Sequence, residues 1–194
     1  MAGESMHTAQ WRDDVDIAGK RVAVVGSGAS AAQVSPEIAK VASHLHVFMR
    51  SAPYCSPRND GPTEADTAAK LVADDGDAYV REISGRDAWR DPPVAPSMFR
   101  GEGSEELRAK TERYFHKLVR DTVKDPEVAE KLIPTYPVGC KRLPVVDDYY
   151  PMFNRSNVTL TYEPSGLRKI NEQGPVGEDG TQYDVDVIVF ATGV

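Results

Sequence analysis

Four apolar residues following Arg21, in RVAVV (21–25), run into Gly26, and the β-branched content of that run predicts a short buried strand. From Gly28 to Ala42 the period lengthens to that of a helix, with Ala29, Ala31, Ala32, Ile38, Ala39 and Ala42 available for packing. Pro36 falls inside this helix and is expected to kink it or cost a backbone hydrogen bond. HLHVFM (44–49) reads as a second strand. Strand, glycine turn, helix and strand in so short a span make a βαβ unit, which demands a parallel sheet.

The pattern then changes. Residues 51–103 are rich in Pro, Gly, Asp and Arg and have no strand period. Helical spacing returns over 104–133. Ser104 reads as a cap for a helix with Glu105 and Glu106 in its first turn and an apolar face of Leu107, Phe115, Leu118 and Val119. Asp125 reads as the cap of a second helix, with Pro126 at its first position, ending before Pro134. The last quarter is strand-rich: NVTLTYEP alternates, LRKI follows, Asp179-Gly180 marks a tight turn, and DVDVIVFATG is nearly unbroken in apolarity. The fold class is therefore α/β: a Rossmann-like dinucleotide-binding domain with a parallel sheet, a helical insertion and a C-terminal β-meander. Its parts are residues 1–55, opening with a linker at 1–12, the mainly helical insertion at 56–139, and a return at 140–194.

Composition narrows the partners. A net charge of -7 and a pI near 5.1 argue against nucleic acid or an anionic membrane surface. No apolar run approaches the roughly 20 residues of a membrane span. The N-terminus lacks a basic, apolar leader, and Cys55 and Cys140 stand in no metal or redox spacing, so a reducing cytoplasm is expected.

The glycine turn carries the chemistry. Gly26, Gly28 and Ala31 form G-x-G-x-x-A. The first glycine permits the turn, the second admits a pyrophosphate, and the small third residue lets helix and strand pack closely. Ser27, Ala29 and Ser30 complete a loop whose amides and helix dipole face the anion. A second G-x-G, in GEGSEE (101–106), follows no strand and brings three glutamates, so it reads as a loop. A fold specific for NAD places Asp or Glu at the end of the second strand, whereas this chain has Arg50 and then Ser51. A guanidinium there suits a 2′-phosphate, so NADP(H) is the expected coenzyme.

Several stretches resemble the class B flavoprotein monooxygenases, and specifically the Baeyer–Villiger monooxygenases, over nearly the whole chain. GESMHTAQW places Gly3, His7 and Trp11 at the spacing of that family's fingerprint, ahead of the glycine turn. The aromatic first position is Met1, and Arg12 stands where Pro or Asp is usual, so Met1 is read as an engineered or internal start or a broken gene. CKRLPVVDDYYPMFNRSNV is similar to the family's Lys-Arg segment, with Leu143 intervening before Pro144. The resemblance implies that Lys141 joins Arg50 and Ser51 at the 2′-phosphate. It also implies that Arg142 is the catalytic arginine reaching the flavin, where it stabilises negative charge during oxygen insertion into a ketone. The closing Ala-Thr-Gly matches the family's, placing Thr192 and Gly193 at the cofactor.

The resemblance further implies FAD, O2 and a ketone substrate in the full enzyme. No second strand–glycine turn–helix unit occurs in the sequence, so the chain alone is expected to bind NADP(H) without retaining FAD or oxidising a ketone. Two other readings stay open: part of an N-hydroxylating or flavin-containing monooxygenase, and a non-catalytic NADP-binding module. His44 and His46 alternate without a third ligand, so no metal is expected. His116 reads as an ordinary residue of an amphipathic helix, and Tyr114-x-x-Lys117 has the wrong spacing for a dehydrogenase Tyr-Lys pair.

Overall fold

The computed structural model describes residues 1–58, 69 and 104–193. Its centre is a five-stranded sheet built from β1 (Glu4–His7), β2 (Arg21–Val25), β3 (His44–Met49), β4 (Val158–Tyr162) and β7 (Val187–Phe190). Their spatial order is β1-β7-β2-β3-β4, and every neighbouring pair is parallel. From β2 the chain moves to β3 and β4 on one side of the sheet, while β7 and β1 lie on the other, so the connections diverge between β2 and β7. In an open α/β sheet, that divergence leaves a crevice beyond the carboxyl ends of the strands.

The two faces of the sheet alternate cleanly. Val22, Val24, Leu45, Val47, Val187 and Val189 point into the larger core, against α1 (Ala29–Val41) and α4 (Tyr149–Met152). Ala23, Phe48 and Ile188 face the other side, where Val185 and Tyr183 cover them. Helices α2 (Ser104–Thr122) and α3 (Pro126–Lys131) add Val119 and Ala129 to the larger core. Among the described residues, no helix is long and apolar enough to cross a membrane.

Local signals explain most element ends. Asp125 caps α3 as its sequence predicts, its side chain accepting from the amides of Glu127 and Val128, with Pro126 in the first turn. α1 runs uninterrupted through buried Pro36, which supplies no N–H to Ala32, so the cost is one backbone bond. α2 begins at Ser104, which places the residue read as its cap within the first turn. The G-x-G at 101–103 lies outside the described residues.

Two elements differ from expectation. β1 falls in the stretch read as a fingerprint and linker, where no strand was expected. The expected meander is smaller than predicted, because β4 joins the main sheet beside β3. What remains is the antiparallel pair β5 (Lys169–Ile170) and β6 (Pro175–Val176), extended by a bridge from Val176 to Gln182. Its physical role is to cover the second face of the sheet.

That face holds one acid-sensitive group. His46 lies between His44 and Tyr183, its Nδ1 is buried without a hydrogen-bond partner among the described residues, and burial, with the nearby charges of His44 and Arg21, pushes its pKa down to about 4. Unfolded histidine takes up its proton near 6.5. The unfolded state therefore binds more protons between the two values, and stability falls as pH drops through that window. His46 is only partly buried, so about 1–2 kcal/mol is expected after screening. Urea unfolding at about pH 7.5 and about pH 4.5 checks this. His46→Phe should lose less stability than the parent between those conditions, and equal losses contradict it. Asp186, pulled down to about 2 chiefly by hydrogen bonds from Arg21, acts in a lower window.

Candidate functional site

At the carboxyl edge of the sheet, the loops after β2, β3, β4 and β7 surround a cavity of about 670 Å³. Gly26, Ser27, Gly28, Ala29 and Ser30 line it from the first loop, Arg50 and Ser51 from the second, and Thr192 and Gly193 from the last. Lys141 also lines it, although 90 residues separate it from Ser51.

Gly26 is required by the backbone itself. Its φ of 134° lies in the region glycine favours, and a Cβ would collide with the carbonyl of Ala191, 2.8 Å from the carbonyl carbon. That close approach brings the first and last loops together. Gly28 is different: its φ is -75°, and a Cβ there would meet nothing within 4 Å. The space above Gly28 is open to a ligand. Ala31 is fully buried under the turn in the larger core, where its small size lets α1 seat on the sheet.

Gly28 is the cap position of α1, yet no side chain caps that end and its first turn carries no acidic residue. The first amides of a 13-residue helix therefore face the cavity uncompensated. Ser27 Oγ donates to the Ser51 carbonyl at 2.7 Å, tying the glycine turn to the end of β3. Lys141 Nζ donates to Ser51 Oγ at 2.9 Å and sits 4.3 Å above the centre of the Tyr136 ring.

Arg50 is exposed at the mouth, its aliphatic stem beside Gly166. It forms no ion pair among the described residues. The cavity has one carboxylate among the described residues, that of Glu163, whose oxygen accepts from the Glu178 amide at 3.2 Å. Among the described residues the site thus offers two cations and a row of amides to an anion.

The remaining predicted residues lie elsewhere. Arg142 is exposed and does not line the cavity. Gly3 and Trp11 also lie outside it; Gly3 permits close approach to Asp186, whose carbonyl carbon would be 2.9 Å from an added Cβ. His7 touches the site indirectly, its Nε2 lying 3.4 Å from Thr192 Oγ1. The sequence reading did not single out Glu163, Ser165, Gly166 and Leu167, which line the cavity from the loop after β4. A third parallel strand was the available signal, since every parallel strand delivers its following loop to the same edge.

A parallel sheet with a glycine turn beside the divergence of its strand order defines a Rossmann-type α/β protein. No family model matches the chain. A Baeyer–Villiger monooxygenase of Pseudomonas aeruginosa is 32% identical over 204 residues, covering 98% of this chain and 35% of the relative. The 2-oxo-Δ3-4,5,5-trimethylcyclopentenylacetyl-CoA monooxygenase of Pseudomonas putida is 34% identical over 231 residues, covering 98% of this chain and 42% of the relative. The crystal structure of OTEMO in complex with FAD and NADP is similar with a TM-score of 0.79 at 29% identity, over 98% of this chain and 42% of that one. Over nearly its whole length the chain is similar in sequence and fold to part of the Baeyer–Villiger monooxygenases, which are class B flavoproteins. It spans well under half the length of these relatives.

Proposed function

We propose that the cavity binds NADP(H), and that the chain is the coenzyme-binding portion of an FAD- and NADPH-dependent Baeyer–Villiger-type monooxygenase. The full enzyme would insert one oxygen atom of O2 into a ketone to give an ester or lactone. One observation carries the coenzyme reading: Arg50, unpaired among the described residues, and Lys141 converge on a cavity floored by the uncapped start of α1. The only carboxylate lining it among the described residues is engaged with a backbone amide.

The residues fit the coenzyme. Amides around Ser27–Ser30 would hold the pyrophosphate, for which Gly28 leaves room. Arg50, Ser51 and Lys141 would hold the 2′-phosphate through charge-assisted hydrogen bonds. Thr192 and Gly193 border the other side of the crevice, with His7 beside them. When bound in the full enzyme, NADPH and FAD supply the hydride and oxygen chemistry. Exposed Arg142, adjacent in sequence to Lys141, would place its guanidinium where negative charge develops on the reacting ketone.

In this reading residues 1–55 and 140–194 build the coenzyme domain, 56–139 form its insertion, and an FAD domain is the principal partner. The two cysteines, both free, fit a reducing cytoplasm. The fingerprint with Trp11 and the Lys141-Arg142 pair favour this reading over an N-hydroxylating enzyme or a non-catalytic module.

Titration of the chain with NADPH and NADH tests the proposal. Preference for NADPH by about tenfold or more is expected from one or two charge-assisted contacts. Equal affinities refute it. The purified chain is also expected to be colourless and to consume no NADPH with O2, because its sequence contains no second glycine turn of this kind. A yellow preparation that consumes NADPH overturns that expectation.

A further inference from the structure

We infer that Tyr136 is a positioning residue for coenzyme discrimination: its ring holds the Lys141 ammonium at Ser51, ready for a 2′-phosphate. This rests on the proposed NADP(H) reading and assigns a role to a residue outside the coenzyme cavity. A lysine that binds a phosphate gives up much of the rotamer freedom of its long, flexible stem, so restraint in advance favours binding. Here two restraints meet on one ammonium. Ser51 Oγ accepts from Nζ at 2.9 Å, and the Tyr136 ring centre lies 4.3 Å below it. The second distance falls within the range of a cation–π attraction.

The ring is itself fixed. Tyr54 stands edge-on to Tyr136 at 5.4 Å and donates its hydroxyl to the Tyr136 carbonyl at 3.0 Å. Tyr54 packs in turn on Phe115 of α2, with ring centres 5.4 Å apart. Two residues further along, the Val138 amide donates to Glu112 of the same helix at 3.0 Å. The segment that carries Lys141 is thus anchored on α2, and its ammonium is handed across to the end of β3. The helical region thereby contributes to specificity through a side chain that need not touch the coenzyme.

The test is a comparison of NADP+ and NAD+ dissociation constants. Tyr136→Leu should reduce the preference for NADP+ by about fivefold, the scale of one partly exposed cation–π contact, and leave NAD+ binding within about twofold. Tyr136→Phe, which keeps the ring face, should restore the preference. On a Lys141→Ala background, Tyr136→Leu should have no further effect. Replacing Tyr136 with pentafluorophenylalanine keeps the shape packed on Tyr54 but reverses the charge of the ring face. It should lower the preference with little change in unfolding midpoint, which keeps the test decisive if the leucine variant folds poorly. If Lys141→Ala lowers the preference while the Tyr136→Leu and fluorinated variants do not, this inference is wrong and the coenzyme reading stands. If Lys141→Ala and Arg50→Ala both leave the preference intact, the coenzyme reading falls and takes this inference with it.

Discussion

Gly26→Ala is expected to destabilise the chain by about 3 kcal/mol or more and to abolish coenzyme binding. Two costs coincide. An L side chain at φ 134° is strained wherever it stands, and its Cβ would press into the Ala191 carbonyl. Neither neighbour can yield freely. The Gly26 amide donates to the Phe48 carbonyl at 2.9 Å, and the Ala191 amide donates to the Val25 carbonyl at 2.8 Å. Relief therefore means breaking a junction among the three central strands. Gly28→Ala is the informative contrast: its φ is ordinary and its surroundings are open, so urea unfolding should change by about 0.5 kcal/mol at most. Its added methyl would nonetheless occupy the space proposed for the pyrophosphate, and NADPH affinity should fall by about tenfold or more. A Gly26→Ala protein with parental stability, or a Gly28→Ala protein with parental affinity, contradicts these assignments.

Arg50→Ala should weaken NADPH binding by about tenfold or more while NADH binding barely changes. A charge-assisted hydrogen bond contributes about 1.5–3 kcal/mol, and NADH lacks the group that would receive it. Stability should be unaffected, because Arg50 is exposed and forms no ion pair among the described residues. Arg50→Glu should go further, repelling the 2′-phosphate and offering a carboxylate to the ribose hydroxyls of NADH. Parallel titrations with the two coenzymes read the effect directly, and equal losses for both refute the role given to Arg50.

What the sequence discloses is what depends on near neighbours. β2, α1 and β3 announce themselves through period, glycine spacing and β-branched runs within one short segment. Arg50 is legible for the same reason, since it directly follows the last residue of β3. β1 is not. ESMH has one buried residue, Met6, no β-branched residue, and a partner strand at the far end of the chain. Its His7 and the preceding Gly3 drew notice as a motif, but its strand character arises only through pairing with β7. The alternation in β4 was visible, yet its partner was not: VTLTY fits a parallel edge strand beside β3 as well as a meander. Tyr136 illustrates the limit for side chains. It stands in a loop without period, and only the folded chain puts its ring beneath Lys141.

The position of the coenzyme's 2′-phosphate tests the central claim most directly. A crystal structure of the chain with NADP+ is expected to place that phosphate within hydrogen-bonding distance of both Arg50 and Lys141, with the pyrophosphate against the amides that open α1. A ribose turned away from residue 50, or a dinucleotide seated outside this cavity, contradicts the account.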